Sequence, residues 1–293
     1  MLAPDLAPAR DRPATVHELG GTGAPVLLAH ATGLHGLVWR PLASRLAGAG
    51  LRCVAYDARG HGDAVAPPGW DFDWRGLAED ALAVVDQLGL DHPHGLGHSS
   101  GATALLLAEE ARPGTFRSLY CFEPVIVPHD PPLGPDPGSW LAIAALRRRS
   151  VFPSRDAALA HYRTKAPWST AAPEALDAYV EHGFADRPDG TVALKCLPQH
   201  EARLNEMATA HDCFGRVATV RCSVRVAVGA DSQEQSPAWF QHHVVPHLCR
   251  GDLDVVPGVS HLGPLQDPAA VADSFLQFVA ATTSTTDADR RRE

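Results

Sequence analysis

A serine between glycines, placed where a short apolar run meets a helix-forming run, constrains the fold of this chain most. The pentapeptide is GHSSG at residues 97–101. Residues 95–98 predict the end of a buried strand, and residues 102–110 are strong helix formers. Glycines permit the sharp turn because any side chain there would collide with neighbouring backbone. The pattern predicts a nucleophile elbow that exposes Ser99 above the N–H groups of a helix N-terminus.

The composition indicates a globular protein. The chain has 293 residues, of which 45% are hydrophobic and 20% charged, enough for a sizeable core. With a net charge of −9 and no basic stripe, we expect no nucleic-acid partner. The arginine runs 147–149 and 290–292 are typical of a solvated helix face and a polar tail.

The expected compartment follows from features that the sequence lacks. No run of about eighteen apolar residues predicts a membrane span, and the first residues do not resemble a signal peptide. Six cysteines are scattered without a framework spacing, and several fall in apparent core strands. We expect a cytoplasmic protein with reduced thiols and no membrane partner.

Apolar runs alternate with helical patterns along much of the chain. This alternation predicts an α/β fold in which a mostly parallel sheet is covered by helices on both faces. Asp267 before Pro268 predicts the start of a last helix that reaches about Ala281. The other predicted strands are 26–30, 53–57, 119–123, 223–229 and 253–256, and the main predicted helices are 39–49, 74–88 and 237–245.

The pattern changes between residues 127 and 220. Proline-rich turns there separate short amphipathic helices at 140–149, 154–162 and 173–182, without a clear strand. We predict that 127–220 is a helical cap inserted into an α/β core formed by 14–126 and 221–281. Residues 1–13 and 282–293 are predicted to be flexible termini.

Four motifs in a fixed order carry a family resemblance. They are HATG at residues 30–33, DARGHG at 57–62, GHSSG at 97–101 and GVSH at 258–261, with the predicted cap before the last. Each is weak alone, but the ordered set resembles the α/β-hydrolase family over nearly the whole chain. The resemblance implies the α/β-hydrolase fold, a Ser/acid/His triad, one oxyanion hole and no metal or organic cofactor.

Ser99 and His261 are the candidate nucleophile and base. A serine hydroxyl is too weakly acidic to attack without a base in hydrogen-bond reach. Among sixteen histidines, His261 lies in a Gly/Pro-rich loop where the family's catalytic histidine resides. His30 and His98 adjoin the key backbone turns, and we expect them to shape loops or contact substrate without transferring protons.

The acid has two candidates. In many relatives it follows the strand that here ends at Gly229, but the equivalent residue is Ser232, and Asp231 lies one residue early. Glu123 instead ends the strand after the nucleophile helix, in a stretch similar to haloalkane dehalogenases whose acid is a glutamate there. A buried glutamate needs a charged or hydrogen-bonding partner, either the triad histidine or a salt bridge that anchors the cap. We predict Glu123 as the acid and keep Asp231 as the alternative.

The backbone N–H groups of Thr32 and Ser100 are the predicted oxyanion donors. The chain departs from the commoner His-Gly by carrying His30-Ala31 before Thr32. The Thr32 hydroxyl either adds a donor or stabilises the turn.

Two histidine clusters are candidate metal sites. His92 and His94 lie in a loop before the elbow strand and have no acidic or cysteine partner at ligand spacing, and the histidines at 242, 243 and 247 fall on a predicted exposed helix. We predict surface histidines and no metal.

The predicted function is hydrolysis of an ester or related acyl bond through an acyl-enzyme. An alkylated serine would be an ether with no carbonyl for water to attack, so epoxide or haloalkane hydrolysis is disfavoured. Aromatic cap residues, among them Trp140 and Trp168, favour a medium-sized apolar or aromatic small-molecule substrate, in secondary metabolism. A ligand-binding protein with little turnover and a cofactor-free oxygenase or perhydrolase are the alternatives, and a homodimer is left open.

Overall fold

Seven of the strands in the described part of the chain form one central sheet. The computed structural model describes residues 15–233 and 235–290, with side chains up to residue 282, so the predicted flexible terminus 1–13 lies outside the described residues. Numbered in chain order, the strands are β1 (Thr15–Gly20), β2 (Pro25–Ala29), β3 (Arg52–Asp57), β4 (His94–His98), β5 (Ser118–Phe122), β6 (Val151–Phe152), β7 (Phe184–Asp186), β8 (Val192–Leu194), β9 (Ser223–Gly229) and β10 (Gly251–Val256).

The central sheet has the order β1-β3-β2-β4-β5-β9-β10, with β1 antiparallel to β3 and the other pairs parallel. The predicted mostly parallel sheet is therefore confirmed. Strand β1 was missed because it is a half-exposed edge strand without an apolar run. The neighbours β4, β5 and β9 are parallel, so the residues that follow them meet at one edge of the sheet.

Helices cover both faces of the sheet. They are α1 (Arg40–Gly48), α2 (Arg75–Leu88), α3 (Ser100–Ala111), α4 (Trp140–Leu146), α5 (Arg155–Tyr162), α6 (Pro173–Gly183), α7 (Pro198–Glu206), α8 (Cys213–Arg216), α9 (Pro237–His243), α10 (Gly263–Gln266) and α11 (Pro268–Arg290). None of the helices in the described ranges is both long and apolar enough to cross a membrane.

Helix α11 begins as predicted but continues beyond Ala281. Asp267 caps it by accepting a hydrogen bond from Ala270 N at 2.9 Å, and Pro268 occupies the first turn. The segment 282–290 contains neither glycine nor proline that would end a helix. This part of the predicted flexible terminus is therefore helical, and residues 291–293 lie outside the described residues.

Alternating side chains of the strands divide the core into two layers. In β2, Val26 and Leu28 pack on the side of α1 and α11, whereas Leu27 and Ala29 pack on the side of α2 and α3. All four are fully buried. A strand covered on both faces must be apolar at every position, which is why these strands appear as unbroken apolar runs.

The segment between β5 and β9 contains α4 to α8 and a small antiparallel sheet of order β6-β8-β7. The sequence predicted helices alone there, since strands of two or three residues are too short to show an alternating pattern. Its buried aromatic residues Phe152, Tyr162, Tyr179 and Phe184 belong to the same apolar cluster as the α1 face of the sheet. We call this segment, 127–220, the cap.

Candidate active site

Ser99 lies in a strained turn between β4 and α3. Its backbone has φ 53° and ψ −119°, and its N–H donates to the Phe122 carbonyl at 2.9 Å. A Cβ added to Gly97 would lie 2.4 Å from Ala102 Cα, and one added to Gly101 would lie 2.3 Å from the Ala29 carbonyl oxygen. Both flanking positions therefore exclude any side chain, and the predicted elbow geometry is present.

Glu123 and His261 are in direct contact. Glu123 Oε2 lies 2.7 Å from His261 Nδ1. The glutamate side chain is 3% exposed and the histidine side chain 49%, so a buried carboxylate meets a ring that opens to solvent. Glu123 has a positive φ of 45°, and its N–H donates to the Ala227 carbonyl of β9 at 2.8 Å. This backbone turn directs the carboxylate across the sheet edge toward His261.

The second carboxylate oxygen of Glu123 is also occupied. Glu123 Oε1 accepts hydrogen bonds from Gly229 N at 2.9 Å and from Ser232 Oγ at 2.5 Å. Asp231, the alternative acid, is exposed, and its N–H donates to the Val259 carbonyl. Among the described contacts, the histidine therefore pairs with Glu123 and not with Asp231.

His98 supports the backbone of His261. It is fully buried at the end of β4, and its Nε2–H donates to the His261 carbonyl at 2.7 Å. Burial lowers the pKa of His98 well below its usual value, which keeps the ring neutral. No part of the His98 side chain is exposed in this structure, and its contact with substrate stays a prediction.

His30 shapes the loop after β2 in a similar way. It is 3% exposed, its Nδ1–H donates to the Ala31 carbonyl at 2.8 Å, and its Nε2 accepts from Ala58 N at 3.0 Å. Burial lowers the pKa of His30 as well. Both ring nitrogens of His30 are engaged within the protein, and its contact with substrate stays a prediction.

The loop predicted to supply an oxyanion donor is bonded to the protein itself. Thr32 N and Thr32 Oγ1 both donate to Ser100 Oγ, at 2.8 and 2.9 Å. Gly33 N donates to His61 Nε2 at 3.0 Å. Burial lowers the pKa of His61 to about 3, so its ring is a neutral acceptor. Thr32 lies beside Ser100 as expected, but the Ser100 side chain occupies its N–H.

An ion pair of the cap contacts this loop. Arg148 Nη1 pairs with Glu201 Oε2, and the two side chains are 18% and 13% exposed. A Cβ added to Gly33 would lie 2.9 Å from Glu201 Oε1 and 3.2 Å from Arg148 Nη1. Arg148 Nη2 also donates to the hydroxyls of Tyr162 and Tyr179, at 3.2 and 2.5 Å. The prediction of a solvated arginine run is therefore wrong for Arg148.

The two predicted substrate-contact tryptophans have different surroundings. Trp140, on α4, is 59% exposed. Trp168 is half-buried and stacks on Tyr179 with ring centroids 4.0 Å apart. Their contact with substrate stays a prediction.

No group of three or more potential metal ligands occurs among the residues described. His94 is buried at the start of β4, where its Nδ1 lies 2.8 Å from Ser118 Oγ, so its predicted surface position is wrong. The strand turns this ring into the core, a direction that the proline-spaced pair did not indicate. His92 and the histidines at 242, 243 and 247 are exposed, as predicted.

The fold and the elbow together define an α/β protein with a serine at the turn after its central strand. A family model described as the alpha/beta hydrolase family matches residues 26–274. The chain belongs to the α/β-hydrolase family, as its ordered motifs implied.

Individual relatives match parts of the chain. Human monoglyceride lipase is 30% identical over 113 residues, which cover 36% of this chain and 37% of the lipase. N-formylmaleamate deformylase of Pseudomonas putida is 34% identical over 110 residues, or 37% of this chain and 41% of the deformylase. The matched segments thus span well under half the length of these curated relatives.

Solved structures match over nearly the whole chain. The structure of E-2-(acetamidomethylene)succinate hydrolase superposes with a TM-score of 0.76 at 22% sequence identity, covering 90% of this chain and 94% of that chain. This likeness shows the fold alone.

Proposed function

We propose that this protein is a serine hydrolase that cleaves an ester or related acyl bond through an acyl-enzyme. The observation that carries the proposal is the 2.7 Å contact between Glu123 Oε2 and His261 Nδ1, at the sheet edge where Ser99 occupies its strained turn. A serine nucleophile, a histidine base and a buried carboxylate bonded to that histidine are the parts of nucleophilic acyl transfer.

Each member of the triad has one role in the proposed reaction. Because His261 Nδ1–H donates to Glu123, the neutral ring leaves Nε2 as the acceptor for the Ser99 proton. Ser99 Oγ attacks the acyl carbon, and His261 then gives the proton to the leaving oxygen. His261 then accepts a proton from water, which attacks the acyl-enzyme. This step releases the carboxylic acid and restores Ser99. Glu123 orients the ring and stabilises the imidazolium.

The oxyanion would be held by Ser100 N–H, at the start of α3, and by Thr32 N–H. In the free protein Thr32 N–H is bonded to Ser100 Oγ at 2.8 Å. The developing negative charge must therefore share or displace that hydrogen bond. A charged acceptor competes well because hydrogen bonds to ions are stronger than those to a neutral hydroxyl.

The substrate class is proposed from the cap and the relatives. The aromatic residues Tyr162, Trp168 and Tyr179 lie together near the Arg148 network, which supports a medium-sized apolar or aromatic substrate. The relatives include a monoglyceride lipase and an N-formylmaleamate deformylase. We favour an ester because an alcohol leaves more readily than an amine.

Covalent labelling tests the nucleophile directly. We expect an organophosphonate to modify the wild-type protein once, at Ser99, and the Ser99→Ala variant to remain unlabelled and folded. Turnover of an activated ester should fall by roughly 10⁵- to 10⁶-fold in Ser99→Ala, as for loss of a catalytic serine. Peptide mass spectrometry locates the label, and steady-state kinetics gives the loss. A label on another residue, or full activity of Ser99→Ala, would overturn the proposal.

A further inference from the structure

We infer that Ser232 is a positioning residue for the triad acid: its hydroxyl holds the Glu123 carboxylate in the orientation that serves His261. This inference rests on the proposed function, since it assigns Ser232 a role in the same reaction. Ser232 itself contacts neither His261 nor Ser99 among the described hydrogen bonds, so it acts through Glu123.

The two oxygens of the Glu123 carboxylate have separate partners. Oε2 lies 2.7 Å from His261 Nδ1, whereas Oε1 accepts from Gly229 N and Ser232 Oγ. A carboxylate with a partner on one oxygen alone can rotate about its last bond, because that torsion is broad and shallow. Two donors on Oε1 remove this rotation, so Oε2 stays directed at His261.

Because Glu123 is buried, its carboxylate depends on the Ser232 hydroxyl as a hydrogen-bond donor. Glu123 is 2% exposed and Ser232 is 9% exposed. Water has little access to Oε1, so its hydrogen bonds must come from the protein. A hydroxyl is suited to this place because it donates to the carboxylate without adding a second charge. Of the two donors, Gly229 N is fixed by the strand, and Ser232 Oγ is the one that a substitution can remove.

The strand register explains why the two residues meet. Strands β5 and β9 are neighbours, with Phe122 opposite Ala227. Glu123 follows β5 directly, and its N–H is bonded to the Ala227 carbonyl. The chain after β9 turns back at once, since Ser232 N donates to the Gly229 carbonyl at 3.1 Å. This turn brings the Ser232 side chain over the carboxylate.

Ser232→Ala and Ser232→Thr in the full chain test the role. Removing a donor to a charged group should lower kcat by roughly 10- to 100-fold. KM should stay within about twofold, because substrate binding does not involve the hydroxyl. Ser232→Thr keeps the hydroxyl and should retain most of the wild-type kcat. Ser236→Ala, which removes the hydroxyl that caps α9 in the same connection between β9 and α9, is the control for a general disturbance and should keep the wild-type kcat.

A double-mutant cycle with Glu123→Gln separates positioning from a merely structural role. The quantity compared in the cycle is the rate at which the organophosphonate labels Ser99. If Ser232 acts through the carboxylate, adding Ser232→Ala to Glu123→Gln should lower this rate further by less than about twofold. Multiplicative losses would overturn the inference, as would a wild-type kcat in Ser232→Ala. If Ser232→Ala does not fold, Ser232→Cys replaces it, since a thiol keeps the size but is a weak donor.

The same measurements distinguish failure of the inference from failure of the acid assignment, whereas labelling and turnover of Ser99→Ala test the proposed function separately. An active Glu123→Gln variant would show that Glu123 is not the acid, whatever Ser232 does. An inactive Glu123→Gln beside a fully active Ser232→Ala would overturn the inference alone.

Discussion

On the acid side of Ser99 both oxygens of the Glu123 carboxylate already have their hydrogen bonds, whereas on the oxyanion side a predicted donor is engaged elsewhere. Both oxygens of Glu123 are bonded, to His261 and to the end of β9. By contrast, Thr32 N–H is bonded to Ser100 Oγ. The acid side is thus preorganised, and the oxyanion side must exchange a bond as charge develops.

The two sides also differ in what supports them. The donors to Glu123 Oε1 come from the last residue of β9 and from the turn that follows it. The cap meets the acid side at α10, through bonds from Gln266 Nε2 to Thr170 Oγ1 and from Ala172 N to the Leu265 carbonyl. On the oxyanion side, Gly33 lies between His61 of the core and the Arg148–Glu201 pair of the cap. Changes in the cap should therefore disturb the oxyanion side more than the acid side.

Of the two sides, the acid side has the larger expected effect. Glu123→Gln should lower kcat by roughly 10³- to 10⁴-fold, because a neutral amide no longer holds the productive histidine tautomer. Asp231→Asn, the matched control on the neighbouring loop, should stay within a few-fold of the wild type. Steady-state hydrolysis of an activated ester measures both. A severe loss in Asp231→Asn with a near-normal Glu123→Gln would reverse the assignment.

An intermediate effect is expected where the cap meets the oxyanion loop. Arg148→Met leaves the Glu201 carboxylate unpaired and largely buried beside Gly33, where negative charge opposes the developing oxyanion. We expect kcat to fall by roughly 10- to 100-fold. Glu201→Gln removes the anion instead and should lose less. Thermal unfolding of both variants controls for loss of stability. Equal losses would mean that the unpaired Glu201 carboxylate is not the cause, and no loss in either variant would mean that the ion pair does not influence the oxyanion side.

The smallest effect is expected for aromatic cap residues. Trp140→Ala and Trp168→Ala should raise KM for a bulky aromatic ester by about tenfold or less, with little change on a small activated ester. A comparison of kcat/KM on the two esters measures the shift in preference. Equal losses on both esters would identify these residues as structural support, a result most informative for Trp168, which stacks on Tyr179.

The parts of the molecule that the sequence predicted correctly depend on local patterns. The elbow at Ser99 needs only the flanking glycines, a strand and a helix. The contact of Glu123 with His261 joins residues far apart in the chain, but both follow strands that end at one sheet edge. Strands β6 to β8 were missed since they are too short to show a period.

The parts that were missed depend on distant partners. Ser100 is one residue in a small motif, and nothing local shows that its hydroxyl accepts from Thr32. Likewise, His98 ends the predicted strand, and nothing local shows that its ring bonds the His261 carbonyl. Arg148 is one of three consecutive arginines, and only the folded cap selects it for burial. Burial of a polar side chain is decided by tertiary packing, which a single sequence shows poorly.

The positive φ angles of Ser99 and Glu123 bear on how tolerant the protein is of heat. Among the residues described, four that are not glycine have a positive φ, and two of them, Ser99 and Glu123, are in the candidate site. Each such conformation costs of order 1–3 kcal/mol, against a total stability of about 5–15 kcal/mol for a typical protein. Relief of backbone strain alone would therefore favour glycine at both positions and would discard the nucleophile and the acid together. Engineering for thermostability should begin well away from the turns at Ser99 and Glu123.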